Sequence, residues 1–191
     1  MALNTGYVAR PCKGETLCGD AGRVWQLPTR CVLALADGLG HGPHAAHAAL
    51  LAMECIAQNL HLECDALFAA CDERLRHSRG AVLAVAVIDL DSNLLTLGSI
   101  GNIRSKLLTP ARNVRLGAGR GIVGAGFKWT PPDQVPLSNG DTLLMFSDGL
   151  AEEATVQASH LNATPQQLAQ DMLAQWGRHD DDASVLVYRH A

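Results

Sequence analysis

Residues 31–43 read CVLALADGLGHGP, and this stretch decides the fold. It starts with six apolar residues in a row, a pattern typical of a β-strand that is buried on both faces. Asp37 follows the run, three of the next five residues are glycine, and Pro43 suits the first position of a helix. The stretch therefore predicts a buried strand, a tight loop and a helix, with a carboxylate held at the end of the strand.

Acidic residues lie beside other predicted strands in the same way. Asp20 follows a glycine near the N-terminus, and Asp148 follows the apolar run 142–147 and precedes a glycine. Three acids at 180–182 precede the run 184–188. Carboxylates held at strand ends can converge on one cleft, where their oxygens suit Mg²⁺ or Mn²⁺, and two such ions can clamp a phosphoryl group and activate a water. A turn aspartate is the simpler interpretation of any one of them, but the set together favours a metal site.

Length and charge narrow the class of protein. With 191 residues the chain is long enough for one sizeable core and short for two. A formal net charge of −4 argues against a nucleic-acid-binding protein, which normally carries a basic surface. There is no run of about 18 apolar residues to span a membrane, and the first six residues lack the basic and apolar stretches of a secretory signal. A cytoplasmic protein is expected.

The six cysteines contain no Cys-x-x-Cys pair, so a zinc site is not expected. Cys31, Cys55 and Cys71 lie in apolar segments and are interpreted as small core residues of a reduced protein. Cys18 lies close to Asp20 in the sequence and has a second interpretation as a reactive thiol, although packing is favoured.

Apolar periodicity predicts the order of the elements. Strands are predicted at 24–27, 31–36, 81–90, 94–100, 103–108, 142–147 and 184–189, and helices at 45–60, 66–77 and 164–176. The glycine-rich segment 117–126 is predicted to be a loop, and it lacks the Gly-Lys-Ser/Thr ending of a P-loop. Strands in hairpin-like groups exclude a regularly alternating parallel α/β fold and favour an antiparallel sandwich flanked by helices.

The acidic motifs, taken in order, resemble those of the metal-dependent serine/threonine phosphatases of the PPM or type 2C family. They are Gly19-Asp20, Asp37-Gly38, Asp148-Gly149 and the run Asp-Asp-Ala-Ser at 181–184. The segment DGLGHG at 37–42 is most similar to the bacterial SpoIIE-type branch and, within it, to RsbX-like phosphatases that reset the stressosome. The resemblance covers nearly the whole chain. It implies one phosphatase domain over residues 1–191 with an α+β fold, a four-layer αββα sandwich of two antiparallel β-sheets flanked by helices, with the cleft at one end.

The resemblance also implies a set of metal ligands. Two Mn²⁺ or Mg²⁺ ions would be held by Asp20, Asp37, the carbonyl of Gly38, Asp148 and Asp181. Asp37 would bridge both ions and would therefore be catalytic. Like charges packed as closely as the three acids at 180–182 are unfavourable without a cation, although a solvated loop is the simpler interpretation. Alignment of these acids with the family motif favours Asp181 over Asp180 as the metal ligand.

Basic residues near the motifs are harder to interpret. Eukaryotic members often carry a phosphate-binding arginine just before the first acid, and none is present here; Lys13 could replace it, but a surface lysine is favoured. His41 could act as a general acid for the leaving oxygen. A loop-shaping role is favoured, because other members of the branch have asparagine there. His44 and His47 are one helical turn apart like a metal pair, yet exposed residues at a helix start are the favoured interpretation.

The function implied by the resemblance is that of a phosphoserine/phosphothreonine protein phosphatase. Its expected partners are phosphorylated STAS-domain proteins of a stressosome, or anti-sigma-factor antagonists, in bacterial stress signalling. A monomer is expected, without a nucleic-acid or membrane partner. No Gly-x-Ser-x-Gly nucleophile motif is present, so covalent catalysis has no support. Two alternatives stay open: a catalytically silent phosphoprotein-binding module and a small-molecule phosphatase on the same fold.

Overall fold

Two antiparallel β-sheets form the centre of the molecule in the computed structural model, which describes residues 4–109, 113–156 and 162–191. Sheet one has five strands in the spatial order β1 (Thr5–Arg10), β12 (Ala183–Arg189), β11 (Thr142–Phe146), β6 (Arg104–Leu108) and β7 (Asn113–Leu116). Sheet two has five strands in the order β10 (Asp133–Pro136), β5 (Leu94–Ile100), β4 (Ala81–Asp89), β3 (Arg30–Gly38) and β2 (Asp20–Gln26).

Helices cover the outer face of each sheet. Helices α1 (Pro43–Gln58) and α2 (Cys64–Leu75) pack on sheet two, and α3 (Pro165–Trp176) packs on sheet one. The order of layers is therefore helix, sheet, sheet, helix, which confirms the predicted four-layer αββα sandwich. Within the described residues no helix is long and apolar enough to cross a membrane.

Strand β3 shows why the apolar run at 31–36 has no polar face. Leu33 and Leu35 belong to the core between the two sheets, whereas Val32 and Ala34 belong to the core under α1 and α2. A strand with helices on one side and a second sheet on the other is buried on both faces, which favours a continuous apolar sequence. Burial of each leucine contributes about 1.5–3 kcal/mol, and the rigid strand carries Asp37 at its end.

The helix boundaries follow local chemistry. Pro43 is the first residue of α1, as predicted. Thr164 forms a capping box with Gln167 at the start of α3, and Gly177 follows the end of that helix, also as predicted. Helix α2 spans Cys64–Leu75 rather than 66–77, because the backbone N–H and the hydroxyl of Ser78 both donate to the carbonyl of Leu75 and end the helix there.

The glycine-rich segment 117–126 is not a plain loop, and that prediction was wrong. It contains β8 (Arg120–Ile122) and the first residue of β9 (Gly126–Lys128), which pair as a two-stranded sheet. Gly121 has a φ of +117°, which favours glycine. Val123 exchanges two backbone hydrogen bonds with Ala81 at the start of β4, so this hairpin is docked beside the strand end that faces the cleft. Pairing with a distant strand is not visible in a local pattern.

All six cysteines are free, and five of them are buried. Cys31, Cys55 and Cys71 lie in the two cores that sheet two shares with its neighbouring layers, which confirms their interpretation as packing residues.

Candidate active site

The sheet register brings the first two acids together. Asp20 at the start of β2 pairs directly with Asp37 near the end of β3. Asp20 is only 6% exposed, and neither of its carboxylate oxygens has a hydrogen-bond partner among the described residues. The hydroxyls of Ser147 and Ser184 lie close enough to lower the pKa of Asp20, but neither reaches a bonding geometry. A buried carboxylate without partners is costly, so this position suits a group that a cation stabilises.

A cavity of about 130 Å³ lies beside this pair. Three of the predicted ligands line it together: Asp37, Asp148 and Asp181. Leu39 and Gly40, on the loop that leaves β3, form part of its wall. The predicted acids therefore converge at one end of the sandwich, with Asp20 buried beside the cavity.

Crowding of these acids changes their protonation. Burial, together with the charges of Asp20, Asp148 and Asp181, raises the pKa of Asp37 to about 9. Burial also raises the pKa of Asp20 to about 7, with Asp182 and Asp148 adding to the effect. The pKa of Asp181 is raised, mainly by burial. Without a cation the cluster therefore retains protons at neutral pH, and a divalent ion would replace them.

The glycines of the two Asp-Gly motifs are required by close packing. A Cβ atom on Gly38 would lie 2.0 Å from the carbonyl oxygen of Ala45 in α1. A Cβ atom on Gly149 would lie 1.8 Å from the carbonyl oxygen of Asp182. Both distances are far below van der Waals contact, so a side chain at either position would push neighbouring backbone away from the site.

The three consecutive acids have three different environments. Asp180 is exposed, and its Oδ1 lies 3.2 Å from Nε of Arg178. Asp181 lines the cavity and accepts a 2.9 Å hydrogen bond from the N–H of Asp182. Asp182 is 2% exposed; its Oδ1 accepts from the N–H of Cys12 at 2.9 Å, and its Oδ2 is buried without a partner among the described residues. Of the three acids, the second one is therefore the residue that lines the cavity.

Sequence reasoning did not select Asp182. It lies next to Asp20 in space, because its Oδ2 would be 2.5 Å from a Cβ atom on Gly19. The available signal in the sequence was its position directly before the buried strand β12, because a residue there lies at the end of the sheets, where the other acids are.

Asn102 is the direct partner of Asp148. Its Nδ2 donates a 2.7 Å hydrogen bond to Oδ2 of that carboxylate. The preceding Gly101 has a φ of +100° and donates its N–H to the carbonyl of Gly119, which places Asn102 at the cavity. A donor on one carboxylate oxygen fixes the orientation of the other, as the outer partners of metal ligands commonly do.

Arg104 holds the loop that carries Asp148. Its guanidinium donates to the carbonyls of Ser147, Leu150 and Ala151 and lies 4.5 Å from the centre of the Phe146 ring. These contacts join β6 to the turn after β11, so the aspartate is held from both sides of the turn. Sequence reasoning missed this arginine because its partners are more than 40 residues away along the chain.

The histidines and the lysine that the sequence placed near the acidic motifs lie outside the cavity of about 130 Å³. His41 is exposed, and its Nδ1 is 2.8 Å from Oε1 of Glu15; it does not line the cavity. His44 and His47 are exposed on α1. Lys13 is also exposed and does not line the cavity. Burial raises the pKa of Cys18 to about 12, so this thiol stays protonated at neutral pH and fits a packing role.

Comparison with known proteins now assigns the family. The profile of the family described as Stage II sporulation protein E (SpoIIE) matches residues 28–191. The chain belongs to the SpoIIE family. Among curated proteins, this SpoIIE-family chain is similar to the phosphoserine phosphatase RsbX of Bacillus subtilis strain 168, with 24% identity over 99 residues. That match covers 52% of this chain and 50% of RsbX, so it spans about half the length of this relative.

Solved structures confirm the fold of this SpoIIE-family chain. A structure from work on the bacterial stressosome, described as a modular system adapted to control secondary messenger signalling, is 33% identical with a TM-score of 0.92, over 99% of this chain and 100% of that one. The crystal structure of RsbX in complex with magnesium is 20% identical with a TM-score of 0.84, over 98% and 94% of the two chains. The four-layer architecture is therefore that of type 2C phosphatases.

The acid cluster of this SpoIIE-family chain fits a hard divalent cation. No three His, Cys, Asp or Glu side chains of the described ranges enclose a single metal position by themselves. Magnesium is commonly held by only one or two carboxylates and keeps several waters, so an open cluster is the expected arrangement. The buried, unpartnered oxygens of Asp20 and the carboxyl groups of Asp37, Asp148 and Asp181 at the cavity supply the oxygen donors that such an ion prefers.

Proposed function

We propose that this chain is a metal-dependent phosphatase that hydrolyses phosphoserine or phosphothreonine in proteins. The observation that carries the proposal is the convergence of Asp37, Asp148 and Asp181 on one cavity, with Asp20 buried beside them. Four carboxylates that repel one another at one end of a sandwich destabilise the fold when no cation is bound, so their convergence indicates a binding site. Family membership and the phosphoserine phosphatase among the relatives agree with this assignment.

The proposed metal ligands are the side chains of Asp20, Asp37, Asp148 and Asp181 together with the carbonyl of Gly38, and the proposed cofactor is two Mn²⁺ or Mg²⁺ ions. When bound, such ions lower the pKa of water and offset the charge of phosphoryl oxygens. Asn102 would orient Asp148 through its 2.7 Å hydrogen bond, and Arg104 would hold the turn in which that aspartate lies.

Direct attack by water is favoured over a covalent intermediate. Within the described residues around the cavity, the thiol of Cys18 stays protonated because burial raises its pKa to about 12. The hydroxyls of Ser147 and Ser184 are buried and lie 3.4 Å from each other. Neither hydroxyl has a histidine or lysine as a bonded base among the contacts described. Activated nucleophiles require such a base or a lowered pKa.

The proposed substrates are phosphorylated STAS-domain proteins of a stressosome or anti-sigma-factor antagonists, acted on by a monomer. The support is the resemblance of the DGLGHG segment to RsbX-like phosphatases and the 33% identity to a structure from work on the bacterial stressosome. A catalytically silent binding module is disfavoured, because all four acids are retained and converge. A small-molecule phosphatase, the other alternative, would differ from the proposed protein phosphatase in the substrates that it hydrolyses.

The test is phosphate release by the purified protein from three substrates: a phosphorylated STAS-domain protein, a phosphoserine peptide and p-nitrophenyl phosphate. We expect release from the phosphoprotein with Mn²⁺ and none with EDTA. Release from small molecules alone would favour the small-molecule alternative. Absence of release from every substrate, with Mn²⁺ or Mg²⁺ and a folded protein, would refute the enzyme and leave the binding module.

A further inference from the structure

A second, larger cavity of about 640 Å³ opens next to the acid cluster. Arg104, Arg115 and Arg178 line it, and we call it the arginine groove. It shares Asn102 and Asp148 with the smaller cavity, so the two cavities are adjacent. A volume of several hundred Å³ is in the range that accommodates a multi-residue or drug-sized ligand rather than one phosphoryl group.

The three arginines differ in how free they are. The guanidinium group of Arg104 already donates hydrogen bonds to carbonyl groups of the turn after β11. Arg178 is about half exposed, and its partner Asp180 is 77% exposed, so this ion pair is weak and readily exchanged. Arg115 is exposed on β7, where its backbone pairs with β6, and no hydrogen bond or ion pair joins its guanidinium group to another described residue. Two guanidinium groups are therefore available to a ligand.

The charge of the groove is opposite to that of the whole chain. The chain has a formal net charge of −4, yet three arginines line the groove against the carboxylates of Glu152 and Asp148. Asp148 accepts the hydrogen bond of Asn102 and also lines the smaller cavity, so Glu152 is the only carboxylate in the described lining that belongs to the groove alone. Guanidinium groups bind carboxylates through two parallel hydrogen bonds, and their planar shape makes them more selective for such groups than lysine.

We propose that the arginine groove binds acidic side chains that flank the phosphorylated residue of the substrate. The inference rests on the proposed phosphatase function and makes the groove its specificity determinant. A peptide whose phosphoryl group lies at the acid cluster has to leave the cluster along an open direction, and the groove adjoins the cluster at Asn102 and Asp148. Aspartate or glutamate near the phosphorylated residue would then meet Arg115 and Arg178.

The kinetic test compares two phosphoserine peptides that differ only by Asp/Glu to Asn/Gln changes at the flanking positions. Wild type should prefer the acidic peptide by about tenfold in kcat/KM, the size expected of two or three exposed charge pairs. The double variant Arg115→Gln/Arg178→Gln should lose this preference, whereas Arg76→Gln directly after α2, an exposed arginine outside the groove, should keep it. Equal kcat/KM for both peptides in wild type, or an unchanged preference in the double variant, would overturn the proposal.

A binding measurement separates this inference from the proposed function. Fluorescence anisotropy of a labelled, unphosphorylated acidic peptide on wild-type protein with Mg²⁺ should show binding that weakens with salt and with Arg115→Gln/Arg178→Gln. Such binding without hydrolysis of any phosphopeptide would support the groove and refute the phosphatase. Binding that is indifferent to both arginines would refute the acidic-peptide assignment.

Discussion

Asp20 and Asp37 are direct cross-strand partners at the ends of β2 and β3. Like charges in directly opposite positions of a sheet are destabilising. The neighbouring glycines hold the strands together at this point, since the N–H of Gly38 donates to the carbonyl of Gly19 at 3.0 Å. The fold thus forces two carboxylates together where separation would be favourable, and this is the relationship that a metal site requires.

The first prediction concerns the pH dependence of stability in the metal-free protein. The pKa of Asp37 is raised from 3.8 to about 9 in the folded state. Because the folded pKa lies above the unfolded one, the stabilisation is complete below about pH 4 and is lost as the pH rises towards 9. The melting temperature in EDTA should therefore fall across this window.

Asp37→Asn is the matched control for this first prediction, because asparagine cannot ionise. Its melting temperature in EDTA should fall less steeply between pH 5 and 9 than that of wild type. Parallel curves for the two proteins would mean that Asp37 does not carry the raised pKa.

A second prediction tests close packing at the Asp148-Gly149 turn. Gly149→Ala should lower the free energy of unfolding by at least about 2 kcal/mol, since the new methyl group would overlap the carbonyl oxygen of Asp182. Gly117→Ala is the control, because the nearest atom to its Cβ is Oδ2 of Asp133 at 3.5 Å. Urea unfolding of both variants measures the difference. Equal stability of the two would show that the backbone at 149 is free to move.

Asn102 is the subject of the third prediction. Asn102→Ala removes the 2.7 Å hydrogen bond to Asp148 and should lower kcat for a phosphoserine substrate by roughly 10- to 100-fold, the usual effect of losing an outer partner of a metal ligand. The melting temperature should change little, because the side chain is exposed. Asn139→Ala in the exposed turn before β11 is the control. Unchanged turnover in Asn102→Ala would remove the orienting role.

The fourth prediction separates two roles of His41. A general acid matters most for a poor leaving group, so its loss would slow phosphoserine hydrolysis more than that of p-nitrophenyl phosphate. His41 is exposed, bonds to Glu15 and does not line the cavity. We therefore expect His41→Asn to slow both substrates in proportion, and Glu15→Gln to behave similarly. A loss confined to the phosphoserine substrate would assign the acid role instead.

Much of this site could be predicted because it depends on local pattern. The apolar run before Asp37, the glycines after it and Pro43 specify strand, loop and helix within 13 consecutive residues. Asp148 follows from the same kind of pattern. The order of the elements favoured an antiparallel sandwich, and the resemblance to type 2C phosphatases implied its four layers and the common metal site of its acids.

The remaining features depend on contacts between distant segments. Asp182 is held by the N–H of Cys12, 170 residues away along the chain. Arg104 is placed by carbonyls beyond the next five strands, and the β8–β9 hairpin by its pairing with Ala81. Edge strands such as β7 and β10 are short and partly exposed, so they lack the apolar runs that identify central strands.

The central claim is that the acid cluster holds the metal ions that hydrolyse the phosphoester. Its most direct test is phosphate release from a phosphoserine protein at saturating Mn²⁺ by wild type, Asp37→Ala and Asp148→Ala, with Asp171→Asn on the exposed face of α3 as control. We predict that both site variants remain folded and lose at least ~100-fold in turnover, because metal positioning supplies most of the barrier reduction, while the control keeps full activity. Near-wild-type turnover in either folded site variant would contradict the account.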